Sequence, residues 1–85
     1  MSTKQPNFRI ITIDEADSID KYEILKCDDT YYLVVDHVDQ LLYLHVYSSL
    51  EETLNNKKAA SPPGIPYILH YDEFFSLDAK IEIME

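Results

Sequence analysis

The chain has 85 residues, 46% of them apolar, and sixteen acidic residues against seven lysines and arginines give a formal net charge of −9. That length holds one domain and that apolar share one core, which excludes a two-domain arrangement and wholesale disorder. A single cysteine, Cys27, rules out an intramolecular disulfide framework, and the acidity disfavours direct binding to nucleic acid or to anionic membrane.

Residues 1–6 are polar, end in Pro6, and read as a flexible tail ahead of a single globular domain over 7–85. The first residues carry no apolar stretch of the kind a signal peptide needs, and no apolar run approaches the roughly 20 residues of a membrane span. A soluble cytoplasmic protein is therefore expected. Phe8-Arg-Ile-Ile-Thr-Ile13 is rich in β-branched residues and predicts a strand over 8–13. The acidic segment Asp14–Asp20 follows as a loop, and strands are predicted over 22–27, 30–36 and 41–47. Short turns at Asp28-Asp29 and Val38-Asp39-Gln40 join these strands into an antiparallel meander. Gly64 is the one glycine, so tight turns with positive φ must fall on Asn or Asp or give way to wider loops.

A period of two assigns the strand faces. Tyr31, Leu33 and Val35 share one face of the third strand, and Tyr32, Val34 and Asp36 share the other. In the fourth strand Leu42, Leu44 and Val46 oppose Tyr43, His45 and Tyr47. Both strands are apolar on both faces and are expected to be central, with cover on each side.

Ser49-Leu-Glu-Glu52 has the spacing of a capping box, with Lys57 and Lys58 at the far end to match the helix dipole. This predicts a helix over 50–58 with Leu50 and Leu54 towards the sheet. Residues 59–66, which include Pro62, Pro63 and Pro66, form a stiff connection. Tyr67–His70 reads as a short extended piece and 72–77 as a short helical turn. The last strand, 79–84, has Ile81 and Ile83 inward and Lys80 and Glu82 outward. The expected fold class is α+β: an antiparallel β-meander sheet of 4–5 strands with one capped helix and one short helical turn.

The candidate chemistry is sparse. A calcium loop counted from Asp14 would need glycine at its sixth position and glutamate at its twelfth, where Ile19 and Leu25 stand. His37, His45, His70 and Cys27 lack the short paired spacings of structural zinc sites. No metal, no cofactor and no catalytic residue is assigned. With the acids mainly in turns and no glycine-rich phosphate loop, an enzyme is not expected.

What leans towards a partner is charge. Residues 14–29 carry a net −5 and residues 70–85 a net −4. The expected function is a small non-enzymatic binding module that docks an acidic face on a basic protein surface. Its sharpest form is an inhibitor that mimics nucleic acid on an enzyme built to grip phosphates. The candidate docking residues are Asp14, Glu15, Asp17, Asp20, Asp28, Asp29, Asp72 and Glu73. In composition the chain resembles small acidic inhibitors encoded by phages and other mobile elements. The alternative is a structural or regulatory subunit that docks through tyrosines such as Tyr32, Tyr43 and Tyr47, or through a strand edge. A homodimer would also cover two-sided apolar strands. The deciding geometry is whether the two acidic segments share a face.

Overall fold

β-branched and aromatic residues fill the strand-like runs, and each run pairs with a neighbour that buries the same face. In a computed structural model that describes residues 7–59, 64–76 and 80–85, these runs form one antiparallel sheet of six strands. The strands are β1 (Phe8–Ile10), β2 (Ile24–Cys27), β3 (Thr30–Val38), β4 (Leu41–Tyr47), β5 (Tyr67–His70) and β6 (Ile81–Met84). Their spatial order is β1-β6-β2-β3-β4-β5. Helix α1 (Leu50–Lys57) links β4 to β5, and helix α2 (Tyr71–Phe75) follows β5 directly.

The class is the expected α+β, with six strands rather than 4–5. The short piece at Tyr67–His70 is a full member of the sheet, paired with β4. β2, β3 and β4 form the predicted meander. Cys27 faces Thr30 and Val38 faces Leu41 across the two turns. Asp28 (φ 55°) and Asp39 (φ 54°) take the left-handed backbone of these turns, as a chain with one glycine requires. The meander does not run through the whole sheet. β6 inserts between β1 and β2, antiparallel to both, which buries Ile81 and Ile83 to 3% and 5% exposure.

Two predicted strands are shorter than expected. The first stops at Ile10, and Thr12 becomes the N-cap of the next element, its N–H donating to the Glu15 carboxylate at 3.2 Å. A 3₁₀ helix over Ile13–Ser18 then replaces the predicted acidic loop. The second begins at Ile24: Tyr22 adopts φ 69° and turns the chain into the strand, a left-handed position that falls on a tyrosine and not on the expected Asn or Asp. The third runs on to Val38. The predicted tail 1–6, residues 60–63 of the stiff connection, residue 77 of the helical turn and the start of the last strand at 79 lie outside the described residues.

Directly opposed residues in an antiparallel pair point to the same face, so the register defines two layers. One face collects Leu25, Cys27, Val34, Leu42, Leu44 and Ile83, and is covered by Ala16 and Ile19 of the 3₁₀ segment and by Tyr71 and Phe74 of α2. Tyr32 joins this face and meets Phe74 edge-on at 5.2 Å. The other face carries Ile24, Leu33 and His45 in one cross-strand row, all buried, and α1 packs against β3 and β4 there. β3 and β4 are thus covered on both sides.

One irregularity changes the face assignment. The register between β3 and β4 shifts between Val34 and Asp36, a β-bulge that adds one residue, Val35. Before it Tyr32 and Val34 share the α2 face. After it Asp36 pairs with Tyr43 and His37 with Leu42. Asp36 therefore leaves the Tyr32–Val34 face on which strict alternation places it, and His37 takes its place.

The two helices form for local reasons. The Glu52 N–H donates to Ser49 Oγ at 3.1 Å, closing the N-terminus of α1. Thr53 is its most buried residue and donates its hydroxyl to the Ser49 carbonyl at 2.7 Å. Leu50 and Leu54 are half-buried beside it. In α2 the His70 ring accepts the Asp72 N–H at 3.1 Å, and Glu73 Oε1 accepts the His70 N–H at 3.0 Å.

Candidate functional site

The 3₁₀ helix and α2 pack against each other on one face of the sheet, and both are acidic at their starts. Asp14 and Glu15 open the 3₁₀ helix, Asp17 and Asp20 follow, and Asp72 and Glu73 open α2. Six of the eight predicted acidic docking residues therefore sit in one layer. The two acidic segments of the sequence are also tied directly. Arg9 Nη1 lies 2.9 Å from Glu15 Oε2, and Arg9 Nε lies 3.4 Å from Glu85 Oε2. The Thr12 backbone N–H, and then Arg9, hold the Glu15 carboxyl below the usual carboxylate range.

Asp14, Asp17, Asp20 and Glu73 have no lysine or arginine within ion-pair distance among the described residues. Asp72 has His70 Nδ1 at 3.6 Å. Across the sheet, α1 and its C-cap balance Glu51 and Glu52 against Lys57 and Lys58. The two layers differ in charge, and the acids concentrate on one.

A part-buried polar clamp holds this layer to the sheet. The Tyr71 hydroxyl donates to Asp17 Oδ1 at 3.0 Å and approaches the Asp39 carbonyl at 3.2 Å. His37 Nδ1 donates to the Ile19 carbonyl at 2.7 Å, while Nε2 hydrogen-bonds with the Tyr71 hydroxyl. The clamp joins the 3₁₀ segment, the β3–β4 turn and α2 at one point. Tyr71 is 6% exposed. Its burial, then its bond to Asp17 and the Asp17 charge, push its phenol up to about 12. The β-bulge at Val35 brings His37 to the face where this contact forms. Asp17 was predicted as a docking residue and also has this structural use.

The remaining predicted residues lie elsewhere. Asp28 and Asp29 form the β2–β3 turn, at the opposite end of β3 from the Asp39 turn. Asp29 lines a shallow cavity of about 390 Å³ with Tyr47 and Glu52, away from the six other acids. The aromatic candidates do not converge either. Tyr32 is on the α2 face against Phe74, whereas Tyr43 and Tyr47 project to the α1 face. The Tyr47 hydroxyl is buried without a hydrogen-bond partner among the described residues. Burial, and then the Glu52 charge, push its phenol up.

Sequence reasoning missed Asp39, which lines two open cavities beside Asp17, one of about 400 Å³ with Asp20 and His37 and one of about 600 Å³ with Gln40 and His70. No spacing signal marks it, because a turn aspartate reads the same whether it faces a cluster or open solvent. A third groove, of about 380 Å³, runs between the 3₁₀ helix and α2 over Ile11, Ile13, Phe75 and Lys80. Among the described residues no three histidine, cysteine or acidic side chains gather as a metal site, and no helix is long and apolar enough to cross a membrane. No protein-family model matches the chain, and neither a curated protein nor a solved structure shows significant similarity to it.

Proposed function

We propose that the protein is a small non-enzymatic binding module that docks the acidic layer of its 3₁₀ helix and α2 on a basic surface of a partner protein. In its sharpest form the partner is a nucleic-acid-binding enzyme, and the layer occupies the site that grips phosphates. One observation carries this reading: Asp14, Asp17, Asp20, Asp72 and Glu73 lie in one layer without a lysine or arginine partner among the described residues. Segregated charge of this kind raises encounter rates with a surface of opposite sign and rejects surfaces of like sign.

The test is charge reversal that spares the clamp. Asp17 is left intact because it accepts from Tyr71, and Asp14→Lys, Asp20→Lys and Asp72→Lys are combined. Against the partner captured from host lysate, the triple variant should bind at least about tenfold more weakly, since facing like charges cost several kcal/mol. Its circular dichroism should match that of the native chain. Undiminished binding by the folded variant would place the docking surface elsewhere. A short DNA duplex should also displace the native chain if the partner's site is one for phosphates. Failure to compete, with the reversal effect intact, would retain acidic docking and remove mimicry.

A further inference from the structure

The sheet has two edges, and the chain treats them differently. At the β5 edge the Tyr71 N–H donates to the Gln40 carbonyl at 3.0 Å, so alternation along the ladder turns the N–H groups of Ile68 and His70 outward. That of His70 is taken by Glu73, and position 66, next in the series, is proline and has no N–H. Among the described residues one outward donor of this edge, Ile68, remains, which is how natural sheets blunt an edge. At the β1 edge the Ile11 N–H donates to the Ile81 carbonyl and the Glu85 N–H to the Asn7 carbonyl, both at 2.9 Å. The same alternation turns both backbone groups of Phe8 and Ile10 outward. Glu15 caps only Thr12, the next outward donor.

We propose that the β1 edge pairs with the β1 edge of a second copy of this chain, antiparallel, about a two-fold axis through Arg9. Three features favour that occupant. The outward groups of Phe8 and Ile10 are self-complementary: with Arg9 on the axis, Phe8 of each copy meets Ile10 of the other and exchanges both backbone hydrogen bonds. Charge is complementary as well. Arg9 is flanked by Glu15 and Glu85, so pairing brings two guanidinium groups together among four carboxylates, and each can reach the other copy's acids. The third feature is apolar cover. Ile10 is 54% exposed, and on the same face Phe8 lies 6.3 Å from Tyr31 with Lys26 over both rings, in a stretch of sheet that α1, packed on β3 and β4, leaves open. Pairing extends this strip across the axis.

The inference is independent of the acidic docking reading. A two-fold axis normal to the sheet would also leave both acidic layers on one side of a continuous twelve-stranded sheet, the number following from six strands in each copy. The shared edge is short, so association should be weak and concentration-dependent.

Sedimentation velocity with the full chain, from micromolar to millimolar concentration, reads the equilibrium, and amide hydrogen exchange over the same range reads the edge. A monomer–dimer equilibrium is expected, with Phe8 and Ile10 amides becoming protected as concentration rises. Ile10→Pro removes an outward donor and no bond within the sheet. It should weaken association at least about tenfold, because two-fold symmetry deletes two hydrogen bonds at once. A chain that stays monomeric at millimolar concentration overturns the proposal. So does a dimer whose protection appears at β5 or α1 instead. If Ile10→Pro fails to fold, exchange in the native chain still decides between these outcomes.

Discussion

Tyr71 joins three segments of the chain through one hydroxyl. That hydroxyl is the group shared by Asp17, His37 and the Asp39 carbonyl, so its loss removes the part-buried hydrogen bonds that make the join. Tyr71→Phe should therefore cost about 1–3 kcal/mol of stability near neutral pH, measured by chemical denaturation. The pH dependence follows from the raised phenol. Its ordinary value is 10.0 and the folded value is about 12. The folded state thus holds the proton more tightly than the unfolded chain does. The stabilisation is fully present below pH 10 and is lost as pH rises towards 12. Tyr32 and Tyr47 are also raised, so the measurement is the difference between native chain and Tyr71→Phe. The native chain should lose more stability over that window, and parallel curves would mean that the clamp is not closed in solution.

Among the elements, α1 was the most legible. Ser49 and Glu52 stand at capping distance in the sequence, and the Glu52 N–H does donate to Ser49 Oγ. Ser49→Ala should cost about 1 kcal/mol, read as a drop in Tm, and Ser49→Gly less. The turns were legible too, because one glycine in 85 residues leaves aspartate to supply the left-handed positions at Asp28 and Asp39. Alternation placed Ile81 and Ile83 inward in β6, but nothing local says that β6 slots between β1 and β2. That position depends on which pairing buries most apolar surface across the whole chain. The bulge at Val35 was also hidden. Its neighbours Val34 and Asp36 fit unbroken alternation equally well, and the extra residue is seen only against the partner strand. Without the bulge His37 would point to the α1 face, and the clamp could not have been read from His37, Asp17 and Tyr71, which are up to 54 residues apart.

For the whole molecule, the net charge of −9 matters through its placement. The sequence located two acidic segments, and whether they met depended on tertiary contacts that composition does not carry. The fold packs the 3₁₀ helix against α2 and ties Glu15 and Glu85 to one arginine, while the acids of α1 sit beside its own lysines. Asp28 and Asp29 remain at a distant turn, so reversing them should affect partner binding much less than reversing Asp14, Asp20 and Asp72. If charge on this layer leads the proposed association, salt should weaken it. The most direct measurement is the affinity of the native chain for its captured partner as sodium chloride rises from about 0.1 to 1 M, over which the Debye length shrinks from about 10 to 3 Å. A steep loss of affinity is expected, through slower association, with a linear fall of log affinity against log salt. An affinity that holds constant across that range would contradict it.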